Sequence, residues 1–195
     1  DTTDGRAVEA IVDCFYTGTL SLSSSSVSDI ICTSNLLQVS AVEKAACDFF
    51  VGRLEPSNAC KALAFATAHA ECGQHARGLL DRCIGYVAGS FVHCSSDGSF
   101  LDLPPEVVAA VLRSDALHAT EDRVVTAVRE WFGRDMDSRL SSLRDLVPLI
   151  RWPLLPAKAR LQLSQELLLV RMMRLDDEAR SIGIQLLTEC SREFA

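Results

Sequence analysis

Apolar residues recur along this chain at three- and four-residue intervals, the spacing of one face of an α-helix. Val27, Ile30, Ile31 and Leu37 make one stripe, and Val42, Ala45, Ala46 and Phe49 a second. Val107, Val108, Val111 and Leu112 make a third, Val124, Val128, Trp131 and Phe132 a fourth. Leu161, Leu163, Leu167 to Leu169 and Val170, then Ile182, Ile184, Leu186 and Leu187, predict two further helices near the end. Start signals agree with this period. Thr120 precedes Glu121 and Asp122, an N-cap followed by acids that suit the positive end of a helix dipole. Pro104 and Pro105 fit a first turn, where a missing N–H costs nothing. Ser57, after Pro56, reads as another cap. Breaks are expected at Thr17-Gly18, at the serine run from Ser23 to Ser26, at Ser95 to Gly98 and at Trp152 to Pro156. Only Gly18 to Leu22 alternates like a strand, and it is short. The expectation is an all-α protein of about nine to eleven short helices, stacked as antiparallel helical hairpins because the connections are short.

Composition then narrows the function. Nineteen basic residues stand against twenty-six acidic ones, a formal charge of −7. That balance argues against nucleic acid and against an acidic membrane surface as partner. Aromatic residues, at 6%, are too few for a base-stacking platform. No apolar run approaches the ~20 residues of a membrane span, and Asp1-Thr2-Thr3-Asp4 is no signal peptide. The missing initiator methionine suggests a fragment. There are eight cysteines, Cys14, Cys32, Cys47, Cys60, Cys72, Cys83, Cys94 and Cys190, without a Cys-x-x-Cys among them. They fall mostly in apolar periodic segments, where a free thiol behaves as a small hydrophobe, so reduced intracellular thiols are expected.

Motifs with chemistry are few. His69-x-x-Cys72-x-x-His75 has short Cys/His spacing of the kind zinc uses. On a continuous helix its two histidines would lie about 240° apart and could not share one ion with Cys72, unless a kink at Gly73 brought them together. A metal-free cluster is therefore expected. No Gly-x-Ser-x-Gly elbow and no phosphate-binding glycine loop is present. Asp176-Asp177-Glu178 and Asp135-x-Asp137 read as solvated helix edges. Arg171-Met172-Met173-Arg174 carries too little charge for a polyanion. No cofactor and no catalytic set is expected.

Other segments carry a family resemblance. Ile11 through Leu20, with Phe15-Tyr16-Thr17-Gly18 at its centre, resembles the Tyr-Thr-Gly segment of BTB (POZ) domains. Asn35 to Val39, then Val42 through Phe50, is similar to the two helices that close that domain. Leu54 to Ala59 resembles the junction from BTB into BACK. Phe91, Phe100 to Leu103, Ser114 to Leu117, Thr120-Glu121, Val128-x-x-Trp131 and Ile150 to Leu154 follow the BACK pattern in order and nearly in spacing. The chain as a whole resembles a BTB–BACK protein of the kelch-like type.

That resemblance implies a C-terminal part of a BTB domain over residues 1–55 and a BACK domain over 56–195. It implies no enzyme. The role would be a substrate-specific adaptor that binds a cullin-3-type scaffold and presents an unknown protein substrate for ubiquitin transfer, as a homodimer at full length. The compartment implied is the cytoplasm, with the nucleus also open. Tyr16, and the helix pair that begins at Ser57, Asn58 and Ala59 and includes Phe65, would face the cullin; this pair resembles the 3-box, an apolar groove for the cullin's N-terminal extension. Against that resemblance three departures are read: the sequence opens inside the BTB pattern, the stretch up to Ala195 contains no kelch repeat, and about five residues more than the family pattern are expected between Phe65 and Leu79. A BTB–BACK scaffold or transcription regulator without a cullin partner is the alternative.

Overall fold

The computed structural model describes residues 5–156 together with Asp177, Arg180, Ser181, Ile184 and Thr188, leaving aside the side chains of Cys72 and Gln74. Among the described residues it holds nine α-helices and no strand. These are α1 (Gly5–Thr17), α2 (Val27–Leu36), α3 (Ser40–Val51), α4 (Ala59–His69), α5 (Gln74–Gly89), α6 (Phe91–Cys94), α7 (Pro105–Arg113), α8 (Glu121–Arg134) and α9 (Leu143–Leu146). Short 3₁₀ turns cover Ala70–Cys72, Gly98–Asp102, Val147–Leu149 and Trp152–Leu154. The all-α expectation holds. Gly18 to Leu22 is irregular chain, since a lone extended segment has no neighbour to take its backbone hydrogen bonds. Of the two late helices expected from sequence, Ile184 is helical; Leu161 to Val170, Ile182, Leu186 and Leu187 lie outside the described residues.

Chain contacts divide the molecule into two units between Val87 and Ala88, within α5. In the first, α2 packs against both α1 and α3. Ala7 and Ile11 of α1, Val27, Ile30 and Ile31 of α2, and Val42, Ala46 and Cys47 of α3 are buried. Ala59, Cys60, Leu63 and Ala66 of α4, and Leu79, Cys83 and Val87 of α5, extend the same apolar interior. Each large aliphatic side chain so buried contributes about 1.5–3 kcal/mol. The turn between α2 and α3 explains why Leu37 leaves its stripe and is exposed. The Val39 N–H bonds to the Ser34 carbonyl at 2.8 Å and the Gln38 N–H to that of Asn35 at 3.0 Å, the paired bonds of a Schellman stop. Gln38 takes the left-handed position, φ 58°, which glycine usually fills.

Ser57 is not the cap of α4. That position falls to Asn58, whose side chain works backwards: its Oδ1 accepts from the Glu55 N–H at 2.9 Å and its Nδ2 donates to the Arg53 carbonyl at 3.0 Å. The amide thus closes the turn that joins α3 to α4. Thr120 is the N-cap of α8, as expected, but without a side-chain capping bond.

The second unit is built on the residues that carried the BACK resemblance. Phe91, Phe100, Leu103, Trp131 and Trp152 are all buried. The rings of Phe91 and Phe100 meet edge to face at 5.7 Å, a favoured aromatic geometry. Trp131 donates its Nε1–H to the Leu103 carbonyl at 2.8 Å, and Trp152 donates to that of Val147 at 3.1 Å. The Arg139 guanidinium lies 4.1 Å above the Trp131 ring and donates to the carbonyls of Trp131 and Leu101. Its partial burial draws its pKa down, offset in part by Asp135 and Asp102. Glu121, at the start of α8, is buried and accepts from the Arg151 N–H at 2.6 Å and from Arg151 Nε at 2.9 Å. Thr120-Glu121 and Ile150-Arg151, far apart in sequence, are therefore two halves of one ion pair.

Candidate protein-binding groove

A groove of about 250 Å³ opens in the first unit between α2, the end of α3 and α4. Its apolar lining is Val27, Phe49, Phe50, Leu54, Ala62 and Phe65; its polar lining is Ser24, Ser28, Arg53, Asn58 and Lys61. Lys61, Ala62 and Phe65 of α4, with Asn58 at its N-cap, fall on one side because they stand three and four residues apart. Phe50 and Phe65 touch with centroids 5.4 Å apart, and Phe65 stacks on His69 at 4.3 Å. The Arg53 guanidinium sits 5.2 Å over the Phe49 ring. The walls are thus preformed aromatic surfaces, half-buried by one another and open on one side. No carboxylate lines the groove.

The sequence-derived candidates fall into three places. Phe65 and Asn58 are both in the groove. Ser57 is exposed just before α4, and Ala59 is fully buried, so that Ala59 serves to seat the helix rather than to touch a partner. Tyr16 lies in the last turn of α1, not in a loop, and is 87% exposed beside Phe15, itself 68% exposed. It does not line the groove. Phe49, Phe50, Arg53 and Lys61 were not singled out as site residues. The signal was there: an aromatic pair ahead of the α3–α4 turn, and a lysine four residues before Phe65.

The segment between Phe65 and Leu79, where the resemblance leads one to expect extra residues, comprises the end of α4, the Ala70–Cys72 turn and the start of α5. Of the two cases weighed for His69 and His75, one continuous helix or a kink at Gly73, the structure has the break in the helix. Gly73 breaks it, with φ 155° and ψ −174°, a conformation essentially reserved for glycine. His69 Nδ1 lies 2.8 Å from the Phe65 carbonyl, and His75 Nε2 lies 2.8 Å from Ser40 Oγ. The two rings are committed to separate neighbours. Among the described residues no group of three metal-ligating side chains forms.

Cys14, Cys47 and Cys83 are free thiols. Burial pushes the Cys47 thiol up to about 11, helped by Glu43 and Asp48 against the opposing pull of Arg82. Burial also pushes Cys83 up to about 12, opposed by Arg82 and assisted by Cys47. Groups held protonated in this way are poor nucleophiles.

The fold and its groove describe an all-α protein with a half-open apolar cleft on its surface. Its family is specific: the profile "BACK: BTB And C-terminal Kelch" matches residues 59–165, and the chain belongs to the BTB–BACK proteins of the kelch-like family. It is 31% identical to Kelch-like protein 2 of Homo sapiens over 86% of this chain and 28% of that protein. It is 31% identical to Kelch-like protein 17 of Homo sapiens over 78% of this chain and 23% of that protein. With Kelch-like protein 3 of Mus musculus it shares 28% identity over 86% of this chain and 28% of that one. The chain spans less than a third of the length of these relatives. No described helix is long and apolar enough to cross a membrane.

Proposed function

We propose that this chain acts within a substrate-specific adaptor of a cullin-3-type RING ubiquitin ligase, binding the scaffold and catalysing nothing itself. What carries the reading is the groove. Phe65 and Asn58, which the kelch-like resemblance marks as cullin-facing, both line the apolar cleft of the first unit. Buried Ala59 seats the helix that carries Phe65, exposed Ser57 stands just before it, and exposed Tyr16 adds a separate apolar contact. In this reading residues 1–55 act as BTB and 56–195 as BACK, and the full-length protein is a homodimer of the cytoplasm, with the nucleus also open, that presents an unknown protein substrate.

A standard specific interface buries about 1,600 Å², and a few desolvated anchors dominate it. Calorimetric titration of the protein at its natural length with the cullin N-terminal region tests the reading. Tight binding is expected, weakened at least tenfold by Phe65→Ala, a loss of about 1.4 kcal/mol. An absence of binding would leave a BTB–BACK scaffold without a cullin partner in its place.

A further inference from the structure

Four consecutive serines, Ser23 to Ser26, lead into α2. Three of their hydroxyls hold one another. Ser23 Oγ lies 3.0 Å from Ser25 Oγ and 2.8 Å from Ser26 Oγ, and Ser26 Oγ accepts from the Ser23 N–H at 3.2 Å. Ser24 stands apart. It is exposed, its hydroxyl makes no hydrogen bond among the described residues, and it lines the groove together with Arg53 and Lys61. Both cations are exposed, and neither has an ion pair among the described residues. At about 250 Å³ the groove is smaller than the ~300–1,000 Å³ of small-molecule pockets, so a group on one wall is within side-chain reach of the other. Residues 18–23 are irregular chain, which a kinase cleft can take in extended form without unwinding a helix. Ser28, the other serine of the lining, is half-buried within α2 and lacks that access.

We propose that Ser24 is a phosphorylation site whose phosphate sits between Arg53 and Lys61, across the groove. A serine/threonine kinase with ATP supplies the group. Ser24 Oγ attacks the γ-phosphorus, and the bond from that phosphorus to the β,γ-bridging oxygen breaks. ADP leaves with the electron pair, and the hydroxyl proton passes to the kinase's base. The phosphoserine brings a charge of roughly −1.5 to −2 and three acceptor oxygens, which gain charge-assisted hydrogen bonds opposite the two cations. The same charge beside Phe50 and Phe65 disfavours an apolar partner side chain in the cleft. That effect on binding rests on the groove being the partner site; the phosphate clamp does not.

Phosphoserine installed at position 24 by amber-codon incorporation tests the clamp without a choice of kinase. Position 25, which does not line the groove, is the comparison. Followed by phosphorus NMR against pH, the phosphate at 24 should ionise at least ~0.5 unit below the value of about 6 for a free phosphoserine. Arg53→Gln/Lys61→Gln should move that midpoint back up and leave the one at 25 unchanged. A midpoint at 24 that the glutamine pair does not move would overturn the clamp. In calorimetry with the cullin N-terminal region, phosphate at 24 should weaken binding at least tenfold, and phosphate at 25 should not. Equal affinity with and without phosphate at 24 would overturn the blocking of the groove. No binding by the unmodified protein would count against the adaptor reading, and the NMR titration would still decide the clamp. Phosphopeptide mapping of the natural-length protein from phosphatase-inhibited cells should find the modification on Ser24; phosphate only on other serines, or none, would overturn the site.

Discussion

Single residues set the local limits of this fold, and Gln38 is the clearest. It stands in the left-handed position of the α2–α3 turn, where a residue with a Cβ pays roughly 1–2 kcal/mol. Gln38→Gly should therefore raise stability by about 1 kcal/mol, the gain reduced by the freedom glycine adds to the unfolded chain. The midpoint of urea unfolding would move up; an unchanged or lower midpoint would contradict the turn geometry. Gly73 is the converse. An added Cβ there would meet the Asn35 amide nitrogen at 3.2 Å in a conformation side chains rarely adopt. Gly73→Ala should cost about 1–3 kcal/mol, read from the same urea midpoint. The thiols give a chemical readout. At pH 8, iodoacetamide should label half-buried Cys14 and Cys32 well before Cys47 and Cys83. The raised folded-state values also make stability fall with alkali. In the unfolded chain the two thiols ionise near the ordinary cysteine value of 9.0, whereas burial pushes them up to about 11 and about 12 in the folded one. Their contribution is complete below pH 9 and lost progressively as pH rises toward 11–12. A urea midpoint flat from pH 8 to 10.5 would count against that burial.

At the scale of elements, the sequence announced helices well and their ends less well. Period and proline placement identified α7 correctly, because Pro105 at its first turn and Val107, Val108, Val111 and Leu112 on one face are local facts. Asn58 was harder. Its side chain bonds back into the turn before α4, a choice made by the neighbouring backbone and invisible to a capping rule. Ala45 fitted a stripe yet faces solvent, since alanine is small enough to satisfy the period on either side. The join between α8 and the Ile150–Trp152 segment depends on the pair of Glu121 and Arg151. Glu121→Ala removes the acceptor of a main-chain N–H and should cost about 1–3 kcal/mol. Arg151→Ala should also destabilise, because it removes the guanidinium partner of a carboxylate whose side chain is 2% exposed and leaves it only the main-chain N–H. The double variant should cost less than the sum of the two. Additive losses in a urea-unfolding cycle would mean that the pair does not couple the two segments.

At the scale of the whole molecule, the family pattern was legible because it is mostly a packing pattern. Phe91, Phe100, Leu103, Trp131 and Trp152 are interior residues, and interiors constrain residue type at fixed spacing. The groove was only half legible. Phe65 and Asn58 came from the resemblance, whereas Arg53, Lys61, Phe49 and Phe50 join them only once the α3–α4 turn brings two helices together. Pairing across a turn depends on its angle, which no period reports. The family profile begins at Ala59, yet the division of chain contacts falls later, between Val87 and Ala88. Sequence kinship and spatial grouping are different divisions of this chain, and the groove belongs to the spatial one.

The adaptor reading stands or falls on where a cullin touches this surface. Hydrogen–deuterium exchange of the natural-length protein, with and without the cullin N-terminal region, maps that contact by residue. The account predicts added protection over 24–28 and 49–65, the segments that line the groove, and over the last turn of α1 around Tyr16. Binding that protects only residues beyond Ala88, or that leaves 49–65 exchanging as in the free protein, would contradict it.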